Sequence, residues 1–308
     1  MKLLLFDIGS NSIRTARLKQ NADSSPVIGG KHVYTTRLAE GLSESGRLSD
    51  ARMRQSLLVI RSIHNDLRRN GYECYAYATS AVRDAQNGAD FARSVEEIIG
   101  SGHVRILSGK EEAEFAQLGA DPGGKRTIVD IGGGSTQIVR SRTRESWPIG
   151  CVRAKDLAPV DELNMIIETL RPVLSGLFGL PGETGRADVL SAETVTKKNR
   201  IVPLGVGGTI TTLSLLCAGQ TEFAEWNGEK NIEFLDLCAT LQSLSNMGDA
   251  KRASIPLLRD RHDVILHGGV ILLFVMEHLH ASRIAATLRD GLDGYALHLY
   301  QSLKNQLL

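Results

Sequence analysis

The sequence predicts an α/β protein of two domains that share one topology, and three observations point there. Short apolar strands alternate with amphipathic helices along most of the chain, the pattern of the α/β class. A glycine-bearing turn, Asp7-Ile8-Gly9, returns as Asp130-Ile131-Gly132, each time after an apolar strand and before small hydroxyl residues and a second strand. The offset of 123 residues between them is domain-sized and marks an internal repeat. Between the repeats, Asp121-Pro122-Gly123-Gly124-Lys125 has turn formers without apolar periodicity and reads as a linker.

The first strand, Leu3 to Phe6, meets the turn Asp7 to Ser12, and alternation resumes at Ile13, Ala16 and Leu18, which makes a β-hairpin. Ser49 to Asn70 is an amphipathic helix: Ser49 caps it, Met53, Leu57, Ile60, Ile63 and Leu67 share a face, and Asn70-Gly71 stops it. Cys74 to Thr79 is a strand, Asp90 to Ile99 a helix, Val104 to Leu107 a strand, and a further helix starts after Ser108. Thr127 to Val129 leads into the second glycine turn and Gln137 to Arg140 follows it. Helices are then expected at Leu163 to Leu177, a run that contains Pro172, at Gly207 to Leu216 after a strand Ile201 to Val206, at Phe234 to Leu244 and at Val264 to Leu279. A strand at Ile284 to Thr287 precedes a last helix from Leu292 to Leu303, striped by Leu292, Ala296, Leu299 and Leu303.

Composition excludes several classes. At 308 residues, 42% hydrophobic and 23% charged, the chain is an ordinary globular protein with room for about two cores. With 36 Lys plus Arg against 35 Asp plus Glu, bulk charge draws no nucleic acid, and any polyanion must meet a local basic groove. Cys74, Cys151, Cys217 and Cys238 are scattered and signal neither a disulfide framework nor a zinc site. No apolar run reaches a signal peptide or a membrane span, so a cytoplasmic location is expected.

The chemistry suggested by these residues is phosphate binding. Glycines let the backbone approach an oxyanion, successive N–H groups form a nest, and hydroxyls add donors; an Asp at the strand end beside such a turn can hold a divalent cation. Gly205-Val206-Gly207-Gly208-Thr209 is a third candidate, a strand end opening a helix whose free N–H groups favour anions. It matches neither a Walker loop nor GxGxxG. Ser108 and Glu111 have capping-box spacing, which gives Glu111 a structural task and leaves Glu112 as a general base beside a phosphate or as a solvated surface acid. Arg83 and Arg289, each after a strand, are phosphate clamps or rim ion pairs. The groups Arg140/Arg142/Arg144 and Lys197/Lys198/Arg200 read as solvated faces, and no histidine has metal spacing.

Taken in order, the segments Asp7 to Arg14, Ala78 to Arg83 with Asn87, Ser108 to Ala113, Asp130 to Thr136, Gly150 to Arg153, Gly207 to Thr209, Pro256 to Gly269 and Leu288 to Leu292 resemble the exopolyphosphatase / guanosine pentaphosphate phosphohydrolase family. The resemblance spans nearly the whole chain. It implies an actin-like fold of two ribonuclease-H-like domains with an interdomain cleft: residues 1–121 with the returning 292–308, and residues 122–291. It implies hydrolysis of terminal phosphoanhydride bonds of polyphosphate or guanosine pentaphosphate, assisted by Mg²⁺, with Mn²⁺ as an alternative. Glu112 matches the glutamate that activates water. Asp130, with Asp7, matches the metal-associated position. Ser10, Asn11, Ser12, Gly133, Gly134, Ser135, Thr136, Gly207, Gly208 and Thr209 would cradle phosphates, and Arg83, Arg14 and Arg289 would stabilise transferred charge. One departure stands out: Gln137 occupies the place where relatives commonly carry a glutamate.

Two other readings compete. An actin-like kinase or ATPase shares paired glycine hairpins, and Gln137 favours a non-catalytic sensor of polyphosphate or an alarmone. No nucleic acid or membrane partner is expected, and a homodimer only from base rates.

Overall fold

The computed structural model describes residues 1–23, 25–140, 143–180, 202–223 and 225–306. They divide into two compact units, 1–123 with 144–146 and 289–308, and 124–143 with 147–288. Asp290 is bonded to Arg14 and Lys31, which ties the returning chain to the first unit.

The first unit carries strands β1 (Lys2–Ile8), β2 (Ser12–Gln20), β3 (Pro26–Thr35), β4 (Glu73–Ala78) and β5 (Val104–Ile106), in the order β3-β2-β1-β4-β5. β2 runs antiparallel to β1 and to β3, whereas β4 is parallel to β1 and β5 to β4. β3 was not legible as a strand. It is an edge strand with Gly29 and Gly30 at its centre and no fully buried side chain, so no apolar alternation marks it.

The second sheet consists of β6 (Ile128–Ile131), β7 (Thr136–Arg140), β8 (Thr143–Trp147), β9 (Leu204–Val206), β10 (Lys230–Glu233) and β11 (Arg283–Ala286), in the order β10-β11-β9-β6-β7-β8. Read from β8, this is third-second-first and then two parallel strands, the order of the first sheet with β10 added at the edge. Each sheet therefore has the ribonuclease-H-like order, and the pair in one chain is the actin-like class. The predicted strand start at Ile201 lies outside the described residues, as do Arg142, Lys197, Lys198 and Arg200.

Helix α1 (Leu42–Ser45) is short; α2 (Asp50–Arg68) starts at Ser49, whose hydroxyl accepts from Arg52 N at 3.3 Å. The most buried line on α2 is Ser56, Ile60 and His64, and Met53, Leu57, Ile63 and Leu67 beside it are half-buried. Helices α3 (Ser80–Asp84), α4 (Gly88–Ile99) and α5 (Gly109–Ala120) follow β4 and β5. In the second unit come α6 (Cys151–Leu157), α7 (Leu163–Phe178), α8 (Gly207–Cys217), α9 (Phe234–Met247), α10 (Asp249–Ala253) and α11 (Ile265–His278). α7 runs through Pro172, and α11 is buried on every side, as its unbroken apolar sequence requires.

The last helix, α12 (Gly291–Gln306), returns to the first unit and packs on α5. Two glycines set that contact. A Cβ on Gly119 would lie 2.8 Å from the Asp290 carbonyl carbon, and one on Gly294 2.7 Å from that of Phe115. The backbones touch, with Phe115, Leu292, Tyr295 and Ala296 filling the flanks. This contact fixes the helix that bears Glu112.

Candidate active site

The two glycine turns close with the same hydrogen bond. Gly9 N donates to Ser12 O at 3.1 Å, and Gly132 N to Ser135 O at 2.9 Å. The turn carbonyls are then taken up by the chain that follows the third strand. Ala39 N binds Ser10 O, and Thr36 N and Arg37 N bind Asn11 O. In the second unit Cys151 N binds Gly132 O, and Val152 N and Arg153 N bind Gly133 O. In a trans peptide the N–H points opposite to the C=O before it. Drawing those carbonyls inward therefore turns the N–H groups of Asn11 and Ser12, and of Gly133 and Gly134, outward, the arrangement of an anion nest. Gly150 is required for this, since a Cβ there would stand 2.5 Å from Gly132 O.

Several hydroxyls that the sequence offered to phosphate are used within the protein. Ser10 Oγ bonds Ser80 Oγ at 3.0 Å, Ser135 Oγ accepts from Gln137 Nε2 at 2.9 Å, and Thr136 Oγ1 donates to Ile149 O at 2.6 Å; all three residues are buried. Thr209 is buried too, its methyl against Gly268 and its hydroxyl donating toward the Cys151 sulfur. What these turns present is backbone.

The register of the first hairpin sets Asp7 opposite Arg14. Arg14 donates to Asp7 Oδ2 from Nε at 2.7 Å and from Nη2, and to Asp290 Oδ2 from Nη1 at 2.5 Å. Lys31 bonds Asp290 at 3.3 Å and also Asp293. Burial pushes the Asp7 carboxyl up against the pull of Arg14, and pushes Asp293 up with help from Asp290. Burial opposes ionisation of Asp290 as well, but Arg14 and Lys31 together hold it below the usual range. Asp7 and Arg14 thus tie the hairpin to the returning chain, and the offset across a three-residue turn could have shown their pairing.

Glu112 and Arg83 meet. The capping box on α5 is formed: Ser108 Oγ accepts from Glu111 N at 3.3 Å, and Glu111 Oε2 from Ser108 N at 2.8 Å. One position on, the Glu112 side chain is only 12% exposed and its Oε1 accepts from Arg83 Nη1. The same Arg83 nitrogen donates to Leu107 O at 2.8 Å, while Nε reaches Asp84 at 3.2 Å. Both residues sit at the carboxyl ends of β4 and β5, where ligands of open α/β sheets bind. Glu112 is a covered, oriented acid.

In the second unit Gly207 has φ +82° and a Cβ on it would lie 2.6 Å from Asp130 Oδ1. Gly208, one residue on, lies so close to Arg261 that a Cβ would meet Nη1 at 2.5 Å. The glycine pair thus brings the Asp130 carboxylate and the Arg261 guanidinium to the start of α8. Arg261 was missed from sequence. Only the fold brings it there, although it lies inside the Pro256 to Gly269 segment. Asp130 pairs in register with Gln137 across the hairpin, and Arg289 is exposed where the chain returns.

Two ribonuclease-H-like sheets, each ending in a glycine turn with outward amides, define an actin-like phosphate-handling protein. The chain belongs to the Ppx/GppA phosphatase family, whose model matches residues 19–292. It is 28% identical to exopolyphosphatase 2 of Mycobacterium tuberculosis, over 97% of this chain and 98% of that one. Among solved structures it is similar to an exopolyphosphatase-like protein (TM-score 0.83, 21% identity, 98% of this chain and 100% of that one). It also resembles the Aquifex aeolicus Ppx/GppA protein (TM-score 0.70, 22% identity, 99% and 98%) and an exopolyphosphatase from Cytophaga hutchinsonii (TM-score 0.77, 18% identity, 98% and 98%).

Proposed function

We propose that this phosphatase-family chain hydrolyses terminal phosphoanhydride bonds of inorganic polyphosphate, with guanosine pentaphosphate as its second substrate. The peptide orientation of the glycine turns carries the reading: outward N–H groups are donors to phosphate oxygens whatever the rest of the substrate is. The name of the mycobacterial relative supports the choice of polyphosphate.

Glu112 takes the proton of the attacking water, a role typically worth about 10²–10⁴-fold in rate. Arg83 holds Oε1 of that carboxylate and supplies positive charge beside the phosphoryl group. Within the second unit, the amides of Gly133 and Gly134, and Arg261 beside Gly208, are donors suited to phosphate oxygens. The residues fit Mg²⁺ at one carboxylate only. Asp7 is already bonded to Arg14, and among the described residues no three His, Cys, Asp or Glu side chains are placed to hold a metal. Asp130, set beside Gly207 at the start of α8, would be that carboxylate, and Mg²⁺ commonly binds through one or two carboxylates with phosphate and water completing its shell. When bound there it neutralises charge on the phosphate oxygens.

The test is phosphate release from long-chain polyphosphate, guanosine pentaphosphate and ATP, each titrated with Mg²⁺. Release from the first two supports the reading. Tight binding of both without release selects the sensor, and transfer of the ATP phosphate to a sugar selects the kinase.

A further inference from the structure

At the amino end of the first sheet, Lys2 and Lys19 stand directly opposite each other across β1 and β2. Their ammonium groups approach the same ring, Tyr72, at 5.9 and 6.0 Å from its centroid. Strand alternation puts Arg17 on that face too, and Lys2 Nζ donates to Asn70 O at 3.3 Å, which brings the end of α2 with Arg68 and Arg69 beside it. Among the described residues, none of these five side chains makes an ion pair. That sets them apart from Arg14, Arg52, Arg83, Arg105, Arg126 and Arg252, which all do. The carboxylates nearby do not compensate: Glu73 accepts from the Tyr75 hydroxyl at 2.7 Å, and Asp66 pairs with none of the five.

Like charges directly opposite in a sheet are destabilising. In a chain of net charge +1, five cations without a carboxylate partner on one face break a local rule, which the Tyr72 ring offsets only for Lys2 and Lys19. Such breaks mark functional surface. We propose that Lys2, Arg17, Lys19, Arg68 and Arg69 form a second polyanion site, which holds the body of a long phosphate chain away from the reacting end. The choice of polyphosphate as occupant rests on the function proposed above. β1 runs seven residues from this patch to the glycine turn, so at about 3.3 Å per residue the two are about 20 Å apart. Only a long chain reaches both. Tethering it by its body raises the concentration of its end at the site.

The experiment measures binding without turnover, in the Glu112→Gln protein, with polyphosphate of several hundred units and with tripolyphosphate as probes. Replacing Lys2, Lys19 and Arg69 together by Gln is expected to weaken long-chain binding at least tenfold. It should also flatten the salt dependence, log K against log salt, by about 2, at about 0.7 per phosphate contact. Tripolyphosphate affinity should hold, the Lys→Arg pair at 2 and 19 should retain long-chain binding, and the melting temperature should not fall. Unchanged long-chain affinity, or an equal loss for both probes, overturns the proposal. So does patch-dependent binding of phosphatidylserine vesicles or single-stranded DNA with polyphosphate unaffected. Because binding is read directly, the patch can stand if the wild-type protein releases no phosphate, and can fall if it does.

Discussion

Replacing Gly294 by Ala reverses the usual sign of that substitution. In an open helix Gly→Ala stabilises by about 1 kcal/mol. At Gly294 the new Cβ meets the Phe115 carbonyl carbon at 2.7 Å and Gly119 N at 2.9 Å, and lies closer still to the Phe115 oxygen. All are backbone atoms, so no rotamer can yield, and α5 and α12 must separate by several tenths of an ångström or more. Overpacking of this kind costs about 1–3 kcal/mol and sometimes more, and a rigid backbone contact belongs at the upper end. After the gain in helix propensity, a net loss of about 2 kcal/mol remains, or about 4–8 °C in melting temperature at about 2–4 °C per kcal/mol. The internal control is Gly176→Ala on α7, where a Cβ meets nothing within 4 Å. That substitution should stabilise by about 0.5–1 kcal/mol. Urea denaturation of both variants checks the pair, and a neutral or stabilising Gly294→Ala would refute the claim that backbone contact locks the Glu112 helix.

Other outcomes follow from the same geometry. The Glu111 carboxyl is held below its ordinary value of 4.5 by the Ser108 N–H, against a smaller opposing effect of burial, and by the Ser108 hydroxyl and Arg105. Its contribution is therefore full above that value and lost as pH falls through the lower folded one. Glu111→Gln should cost about 0.5–1 kcal/mol at pH 7, with the gap closing below about pH 4 in parallel urea titrations. Gly207→Ala forces a side chain into φ +82° and against Asp130, and should destabilise by about 2 kcal/mol; a melting temperature equal to wild type would count against it. Arg14→Met leaves Asp7 and Asp290 without their shared guanidinium. A loss of about 3–5 kcal/mol is expected for a broken buried pair, and calorimetry showing less than about 1 kcal/mol would return Arg14 to the phosphate.

The parts of the fold that local chemistry writes were legible. Ser108 and Glu111 announce a cap, the Leu292-Ala296 stripe announces the last helix, and the repeated Asp-Ile-Gly turns give two units of one topology. What escaped depends on neighbours far along the chain. β3 has no apolar face to display at a sheet edge. The hydroxyls of Thr136 and Thr209 look like phosphate donors until Ile149 and Cys151 are brought beside them. From sequence alone a solvated acid is the commoner reading of Glu112, and only the fold brings Arg83 onto it.

The most direct test of the account is phosphate release by Glu112→Gln at saturating long-chain polyphosphate, with binding measured in the same sample. The substitution keeps size and a hydrogen-bond acceptor and removes the base. The account predicts release lowered by about 10²–10⁴-fold with affinity retained; release near the wild-type rate would contradict it.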